Sequence, residues 1–522
     1  MISTTAGNST PAASISRRRL LAGAAGLGAV VLLAGCGGTA AARDAGPPRR
    51  GGVLRVGVTG GGASDTLDPH SPATNPDIAR TLSLYEPLLH WDDAYTLQPA
   101  VAEMVRPEPG ARAWTATIRA GITFHDGRPV TPDDVVATFR RITDPDDPKS
   151  GASQFGILDD VVVAGDRQVR FELTEPSPVF DQYLAEYSCG IVPADFDLAR
   201  PVGTGAFRAE SFTPGQQSAF GRHEGYWRPD QPWVDRLELI NFSEDDARIN
   251  ALLSGQVDAI DQVPLSLTEV VGSYSQIRLL TSQTGAWLPI TMRVDVEPFD
   301  DVRVRQALRL IAGRGEMVNQ VLSGLGAPAV DLYARFDPDY LDPQREQELE
   351  RARELLSAAG RPNLSLELVT SPIQAGTVEA AQVYTTQARA AGVEIGLRRV
   401  DTSTFFSDQY LQWEFAQSFW NTRNYLPQAS QSSMPDAPFN ETHWDDAEYQ
   451  AVVRRARSEV DGGIRAQLVR QAQQIEFDRG GYLIWGFPDR VDAHQTYVGG
   501  LVPNRTGLSL SGYEFRKAWV AA

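Results

Sequence analysis

The chain has 522 residues, of which 42% are hydrophobic and 22% charged, and its formal net charge at pH 7 is −18. This length exceeds what one hydrophobic core ordinarily serves, so two or three domains are expected. The composition is that of a soluble globular protein. The strong negative charge disfavours a nucleic-acid partner, because an acidic surface repels phosphate backbones.

The N-terminal segment has the pattern of a lipoprotein export signal. Ser16–Leu21 reads SRRRLL, a twin-arginine sequence, and an apolar run over 20–34 follows it. This run is shorter than the ~20 residues that a membrane-spanning helix needs. Leu33–Cys36 reads LAGC, a lipobox, which predicts cleavage before the cysteine and a lipid on its thiol. We therefore expect residues 1–35 to be a signal peptide, with Cys36 anchoring the mature chain to the extracytoplasmic face of the cell membrane.

The elements of the mature chain begin after a spacer. Residues 36–52 are rich in Ala, Gly, Pro and Arg and predict a flexible linker. A first strand is expected over 53–58, and a later strand over Trp114–Ile118, where apolar and polar residues alternate. Thr131 is an expected helix N-cap, because Pro132 and two acidic residues follow it.

From about residue 300 the pattern changes to helices that alternate with strands. The expected helices are 302–312, 344–359 and 377–391, and the expected strands are 364–369 and 393–400. Short connections between alternating helices and strands predict a parallel sheet covered by helices. The chain is therefore expected to have a mixed front half and an α/β back half.

Two histidine-containing segments suggest metal or catalytic chemistry at first sight. His125-Asp126-Gly127 lies between two strands and predicts a turn. His443-Trp444-Asp445-Asp446 offers a single histidine, and its acidic residues suit the start of a helix. The sequence contains no nucleophile elbow, zinc-protease helix or phosphate-binding loop motif. We therefore expect a protein that is not an enzyme and that uses neither a metal nor a cofactor.

Cys189 is the one cysteine of the mature chain besides the lipidated residue. An internal disulfide therefore cannot form, although the expected location is oxidising. The apolar neighbours of Cys189, residues 187–192, indicate a buried and unreactive thiol rather than a nucleophile.

A series of short blocks, taken in order, resembles one protein family. The strongest block is Trp114–Gly127, WTATIRAGITFHDG, which is followed by TPDDV at 131–135. Further blocks flank it on both sides: GGVL at 51–54, LDPH at 67–70, YEPLL at 85–89, LQPAVAE at 97–103, PVGTGAF at 201–207, GYW at 225–227, SGQVD at 254–258 and VRVRQAL at 302–308. Their order and spacing resemble the extracytoplasmic solute-binding proteins of family 5, which serve ABC importers of peptides, nickel complexes and related solutes.

The resemblance implies an α/β fold of the periplasmic-binding-protein type, in its type II form with an extra subdomain, whose two hinged lobes enclose the ligand. It places lobe I in residues 53–85, 200–285 and 490–522, an inserted subdomain in 86–199, and lobe II in 286–489. Closure of the lobes around the ligand would be what the membrane partner recognises.

The resemblance further implies a function and a set of partners. The protein would be a substrate-binding lipoprotein that captures a peptide or peptide-like solute and delivers it to the permease subunits of an ABC importer. We expect a monomer that contacts the membrane through its lipid anchor. Two alternatives stay open: a sensory receptor that presents the same ligand, and a receptor for a saccharide, an opine-like conjugate or a metal chelate.

The peptide-binding members of this family carry a short ligand motif. In it a Trp is followed three residues later by an Asp, which pairs with the ligand's α-ammonium, and seven residues later by a Pro. This chain has Trp420 and Pro427 at that spacing, but Arg423 stands at the position of the Asp. An enclosed ammonium would meet a like charge there, whereas the guanidinium fork suits a carboxylate or phosphate. Arg423 is expected to meet an acidic group of the ligand or a carboxylate across the closed cleft, unless it points away.

The remaining ligand-binding candidates lie in the same motif or follow from the resemblance. In the motif, aromatic rings would form flat walls and amides would offer adaptable hydrogen bonds; these residues are Trp420, Asn421, Asn424 and Tyr425. Trp287 lies near the expected crossover between the lobes. Ser64 falls where, by the same resemblance, the first lobe offers backbone groups to an extended ligand.

Overall fold

The structure is a computed structural model that describes residues 44–521. The predicted signal segment, the lipobox with Cys36 and the first part of the spacer lie outside the described residues. The last part of the spacer contacts the C-terminal strand. The Trp519 indole N–H donates to the Ala45 carbonyl at 3.3 Å, and Arg49 Nε donates to the Val520 carbonyl at 3.0 Å.

The described chain contains short strands and helices in alternation. The strands are β1 (Val53–Thr59), β2 (Leu89–Trp91), β3 (Leu97–Pro99), β4 (Ala102–Pro107), β5 (Ala113–Ile118), β6 (Leu158–Gly165), β7 (Gln168–Leu173), β8 (Phe207–Thr213), β9 (Gln217–Arg222), β10 (Arg236–Phe242), β11 (Ala259–Ile260), β12 (Ile277–Gln283), β13 (Leu288–Met292), β14 (Gly326–Pro328), β15 (Ser365–Thr370), β16 (Glu394–Arg399), β17 (Phe415–Gln417), β18 (Tyr482–Gln495), β19 (Val498–Gly499) and β20 (Trp519–Val520). The helices are α1 (Asn75–Leu84), α2 (Pro132–Ile142), α3 (Phe180–Tyr183), α4 (Asp245–Leu253), α5 (Thr268–Gly272), α6 (Val302–Ile311), α7 (Arg314–Val321), α8 (Leu349–Ala358), α9 (Thr377–Ala390), α10 (Thr402–Phe405), α11 (Tyr425–Ser432), α12 (Ala447–Ser458), α13 (Gly462–Arg479) and α14 (Ser509–Gly512).

Within residues 44–521, one ten-stranded sheet joins the two halves of the chain. Its strand order is β17-β13-β18-β11-β1-β10-β9-β8, and β12 and β14 also pair with β18. The long strand β18 is antiparallel to each of its partners. Its first residues, Tyr482–Gly486, pair with β13, and residues 489–495 pair with β12. A single strand therefore passes from the back half of the chain to the front half.

Strand β1 is central to the front half because it is buried and paired on both edges. It runs parallel to β10 and β11. Leu54, Val56 and Val58 have no exposed surface and belong to the core that packs under α1. A Cβ atom on Gly57 would come within 3.0 Å of Phe242 and 3.3 Å of the Arg248 side chain. The glycine therefore leaves room for the stem of Arg248, a residue that reaches the cleft described below.

Residues 86–199 contain a separate four-stranded antiparallel sheet of order β4-β5-β7-β6, which packs on α2. The predicted N-cap is confirmed: the Thr131 side chain accepts a hydrogen bond from the Asp134 amide, and Asp134 bonds back to the Thr131 amide. The predicted turn at His125-Asp126-Gly127 is also confirmed, since the Gly127 amide donates to the Phe124 carbonyl at 2.9 Å. Gly127 has φ of 84°, which a glycine adopts without strain.

The back half confirms most of the predicted elements and corrects two. Helices α6 and α9 and strands β15 and β16 lie where the sequence predicts them. The helix expected over 344–359 begins only at Leu349, because the residues before it bond elsewhere: the Glu348 amide donates to the Leu310 carbonyl. The parallel sheet expected there consists, among the described residues, of the pair β15-β16; β13 and β17 are antiparallel members of the large sheet.

Candidate functional site

A cavity of about 540 Å³ lies at the point where β18 passes from one half of the chain to the other. We call this cavity the cleft. The front half lines it with the end of β1, the loop before α1, the start of α4 and the segment after β11: Thr59, Ala73, Thr74, Asn75, Ile78, Asp245, Arg248, Gln262, Val263 and Pro264. The back half contributes Ala286, Leu288, Leu322, Gln374, Ala375, Phe419, Trp420 and Asn421, and β18 contributes Pro488–Val491. A solute in the cleft would therefore contact both halves.

Trp420 forms an aromatic wall of the cleft and is supported by Trp287. The two residues exchange backbone hydrogen bonds of 3.0 Å, and their rings are stacked at 5.7 Å between centroids. Trp287 is 1% exposed and stacks on Tyr333 behind it, whereas Trp420 keeps 8% of its surface accessible. The structure therefore places Trp287 behind the cleft wall rather than in its lining.

Arg423 and Asn424 line a neighbouring cavity of about 20 Å³, together with residues of the 86–199 segment such as Tyr95 and Glu186. The Arg423 guanidinium lies 6.0 Å from the centre of the Trp420 ring. Burial raises the pKa of the Glu186 carboxyl, and the nearby positive charge of Arg423 opposes that rise. Among the described residues, Arg423 has no carboxylate within ion-pair distance, so its charge is available to a further group.

The other predicted site residues are dispersed. The Asn424 amide donates to Gln182 at 3.1 Å and so joins the motif to α3. Tyr425 is fully buried, stacks on Tyr333, and donates its hydroxyl to Glu476 at 2.8 Å. Ser64 is exposed on the loop after β1 and is not part of the cleft lining. The structure thus brings Trp420 and Asn421 together in the cleft and places Arg423 beside it.

Residues 96–439 match the model of the bacterial extracellular solute-binding proteins, family 5. The chain belongs to this family. The predicted resemblance is therefore confirmed over most of the mature chain.

Three similar proteins illustrate how this solute-binding protein relates to others. It is 24% identical over 485 residues to the oligopeptide-binding protein AppA of Bacillus subtilis, covering 85% of this chain and 88% of that protein. It is 23% identical over 453 residues to the glutathione-binding protein GsiB of Pectobacterium atrosepticum, covering 81% and 85%. The structure of AgaA from A. tumefaciens R10, in complex with agropinic acid, superposes with a TM-score of 0.75 at 23% identity, covering 90% and 99%. The predicted two-lobed α/β fold is confirmed.

The cleft of this solute-binding protein also contains charged residues that the sequence did not indicate. Arg248 is fully buried and donates to Asp245 at 2.7 Å, yet its Nη1 has no hydrogen-bond partner among residues 44–521. Arg490 and Asp489 reach the cleft from adjacent positions of β18. Burial raises the pKa of Asp489, and Arg335 opposes that rise. A sequence signal existed for Arg248, one helical turn after Asp245, but nothing local showed that the turn faces a cavity.

The segment around His443 and the single described cysteine, Cys189, both have structural contacts. Residues 44–521 hold no group of three or more His, Cys, Asp or Glu side chains arranged to bind a metal ion. His443 bonds to the Leu411 carbonyl, and Asp446 is the N-cap of α12, as the sequence predicts. Burial raises the pKa of the Cys189 thiol, which keeps it protonated and unreactive. No helix in this part of the chain is long and apolar enough to cross a bilayer.

Proposed function

We propose that this solute-binding protein is the lipid-anchored receptor of an ABC importer and that it holds a peptide or peptide-like solute in the cleft. The observation that carries the proposal is the lining of the cleft, to which both halves of the chain contribute. Relatives named for oligopeptide and glutathione binding support a peptide-like solute. The lining combines apolar side chains and one aromatic wall with uncharged hydrogen-bonding groups and with the charged residues Asp245, Arg248, Asp489 and Arg490. This combination suits a peptide backbone with its side chains.

The receptor would bind by closure of its lobes. We assign lobe I to residues 53–85, 200–285 and 490–522, the inserted subdomain to 86–199, and lobe II to 286–489. Two neighbouring segments cross between the lobes: Thr284–Ala286 and the middle of β18. They are joined where Thr284 Oγ1 donates to the Pro488 carbonyl at 2.7 Å. A bend confined to these two segments would bring Trp420 against the lobe I residues, such as Thr59 and Gln262, without repacking either core.

Attachment to the membrane is part of the same proposal. A lipid on Cys36, after twin-arginine export and cleavage of residues 1–35, would hold the receptor close to the permease. Tethering raises the effective concentration of the receptor at its partner without a new contact. In cells of the native host, the Cys36→Ser variant is expected in the soluble extracytoplasmic fraction, whereas the unaltered protein is expected in the membrane fraction. Equal membrane association of the Cys36→Ser variant and the unaltered protein would show that Cys36 does not carry the anchor.

A thermal-shift screen of the purified mature protein tests the ligand class. Pools of di- to hexapeptides, saccharides and opine-type conjugates serve as probes. A bound solute at 100 times its dissociation constant stabilises the folded state by about 2.7 kcal/mol. We expect a peptide pool to raise the melting temperature, and the Trp420→Ala variant to lose the shift. A shift with saccharides or conjugates alone would contradict the assignment of a peptide-like solute. An equal shift in Trp420→Ala would show that the solute does not bind in the cleft.

A further inference from the structure

Glu441 is a buried carboxylate directly behind the aromatic wall of the cleft. It is 4% exposed, and no arginine, lysine or histidine of residues 44–521 lies within ion-pair distance of it. Four neutral groups donate to it instead. Oε1 accepts from Ser418 Oγ at 2.5 Å and from the Tyr410 hydroxyl at 2.9 Å. Oε2 accepts from the Trp420 indole N–H at 3.3 Å and from the Tyr482 hydroxyl at 3.2 Å.

The four donors differ in what they can do when the carboxylate is protonated. A hydroxyl of Ser or Tyr can rotate and accept a hydrogen bond, whereas an indole N–H can only donate. A proton on Oε2 would therefore leave the Trp420 N–H facing a donor, and a proton on Oε1 would weaken its acceptor. The hydroxyls can adapt to a neutral Glu441 by rotating, whereas the Trp420 N–H keeps at best a weakened acceptor.

We propose that Glu441 is the positioning residue for Trp420 and that its ionised form holds the ring in the orientation presented to the cleft. The backbone bonds and the ring stacking with Trp287 hold the main chain and one face of Trp420, and the indole N–H contact with Glu441 is the side-chain hydrogen bond that orients the edge of the ring. Because Trp420 lines the cleft, Glu441 would act on solute binding without touching the solute.

The surroundings of Glu441 raise the pKa of its carboxyl group toward neutral pH. Burial without a neighbouring cation raises its pKa to about 7, although its four donors oppose the rise. The titratable groups that face it are Tyr410 and Tyr482, whose own pKa values burial raises. The negative charge of Glu476 also contributes to the raised pKa of Tyr482. His443, two residues along the chain, turns its ring to Leu411 and Asp295. The hydrogen bond from the Trp420 indole N–H to the ionised Glu441 should therefore orient the ring above neutral pH, and the side chain should become more mobile below neutral pH.

The test follows the fluorescence of Trp420 and its quenching by acrylamide as the pH changes from about 5 to 9. Subtracting the signal of the Trp420→Phe variant isolates this tryptophan from the others. We expect one transition with a midpoint near pH 7, with quenching stronger on the acid side. Glu441→Gln should abolish the transition, because the amide does not titrate. No solute is needed, so the result is independent of the proposed function.

Glu476→Gln is the matched control, since burial also raises the pKa of Glu476 to about 7 but its donors are Tyr425 and Ser433 rather than a tryptophan. This variant should keep the Trp420 transition. A transition that persists in Glu441→Gln, or that disappears in Glu476→Gln, would overturn the proposal. If Glu441→Gln does not fold, Ser418→Ala removes one donor to the ionised form and should move the midpoint upward by about one pH unit. An unmoved midpoint would then overturn it.

Discussion

Arg423 is the residue at which the ligand motif of this chain departs from that of the peptide-binding members of its family. The motif around it keeps the Trp and the Pro of the peptide-binding members, and Trp420 does line the cleft. The sequence could identify this departure because the spacing is unchanged. It could not show that Arg423 lies beside the cleft, in the same small cavity as Glu186 of the 86–199 segment, because that placement depends on packing between distant parts of the chain.

We predict that Arg423→Ala weakens binding of the solute identified by screening by about tenfold or more. The reason is that a guanidinium paired with an acidic group inside a closed site contributes more than about 1.4 kcal/mol to the binding free energy. Isothermal titration calorimetry measures the change. Arg423 could act by contacting the solute or by attracting Glu186 across the closed cleft, and the Glu186→Gln variant distinguishes these two roles. Affinity should stay nearly unchanged in Glu186→Gln if Arg423 contacts the solute, and should fall as in Arg423→Ala if Arg423 acts through Glu186. A change of less than about twofold in Arg423→Ala would remove this residue from the site.

At the scale of elements, local signals predicted α2, α6 and α9 well, because caps and apolar periodicity lie within the elements themselves. The start of α8 was missed because its cause is tertiary: the side chain of Gln347 donates to the Ile311 carbonyl, and Arg345 pairs with Asp331. These contacts hold the preceding residues extended against α6 and prevent them from joining the helix. The same limit applies to the cleft, whose charged residues come from segments that are distant in sequence.

The capping box of α2 gives a prediction at this scale. Thr131→Ala removes the side-chain acceptor for the Asp134 amide and should lower the free energy of unfolding by about 1 kcal/mol. Urea denaturation measures this value. Thr386→Ala is the control, because Thr386 is exposed in the interior of α9, where alanine is favourable. An equal effect of the two substitutions would show that the cap contributes nothing specific.

At the scale of the whole molecule, buried ionisable groups make stability depend on pH in opposite directions. Burial raises the pKa of Glu441 and Glu476 to about 7, so the folded state binds their protons more tightly than the unfolded chain does. The stability that this contributes is lost as the pH rises from about 4.5 to 7. Burial lowers the pKa of His70 and His90 to about 4. The unfolded chain therefore takes up protons at these histidines as the pH falls below about 6.5, which destabilises the protein on the acid side.

The Glu476→Gln variant tests the contribution of a buried glutamate to the pH dependence of stability, at a residue outside the cleft lining. The amide can still accept a hydrogen bond from Tyr425 but carries no charge. Relative to the unaltered protein, the variant should gain stability with rising pH between about 5 and 7, by up to about 1.4 kcal/mol per pH unit. Urea denaturation at several pH values measures the difference. A difference that does not change with pH would show that Glu476 is not protonated in the folded state.

We propose that the cleft between the two lobes encloses a solute. Native mass spectrometry of the mature protein, incubated with a dialysable peptide extract and then desalted, tests it most directly. We expect a small-molecule adduct of one solute per chain that disappears in Trp420→Ala, while the circular dichroism spectrum of that variant is unchanged. An adduct of the same mass and abundance in the unaltered protein and in Trp420→Ala would show that the solute binds outside the cleft.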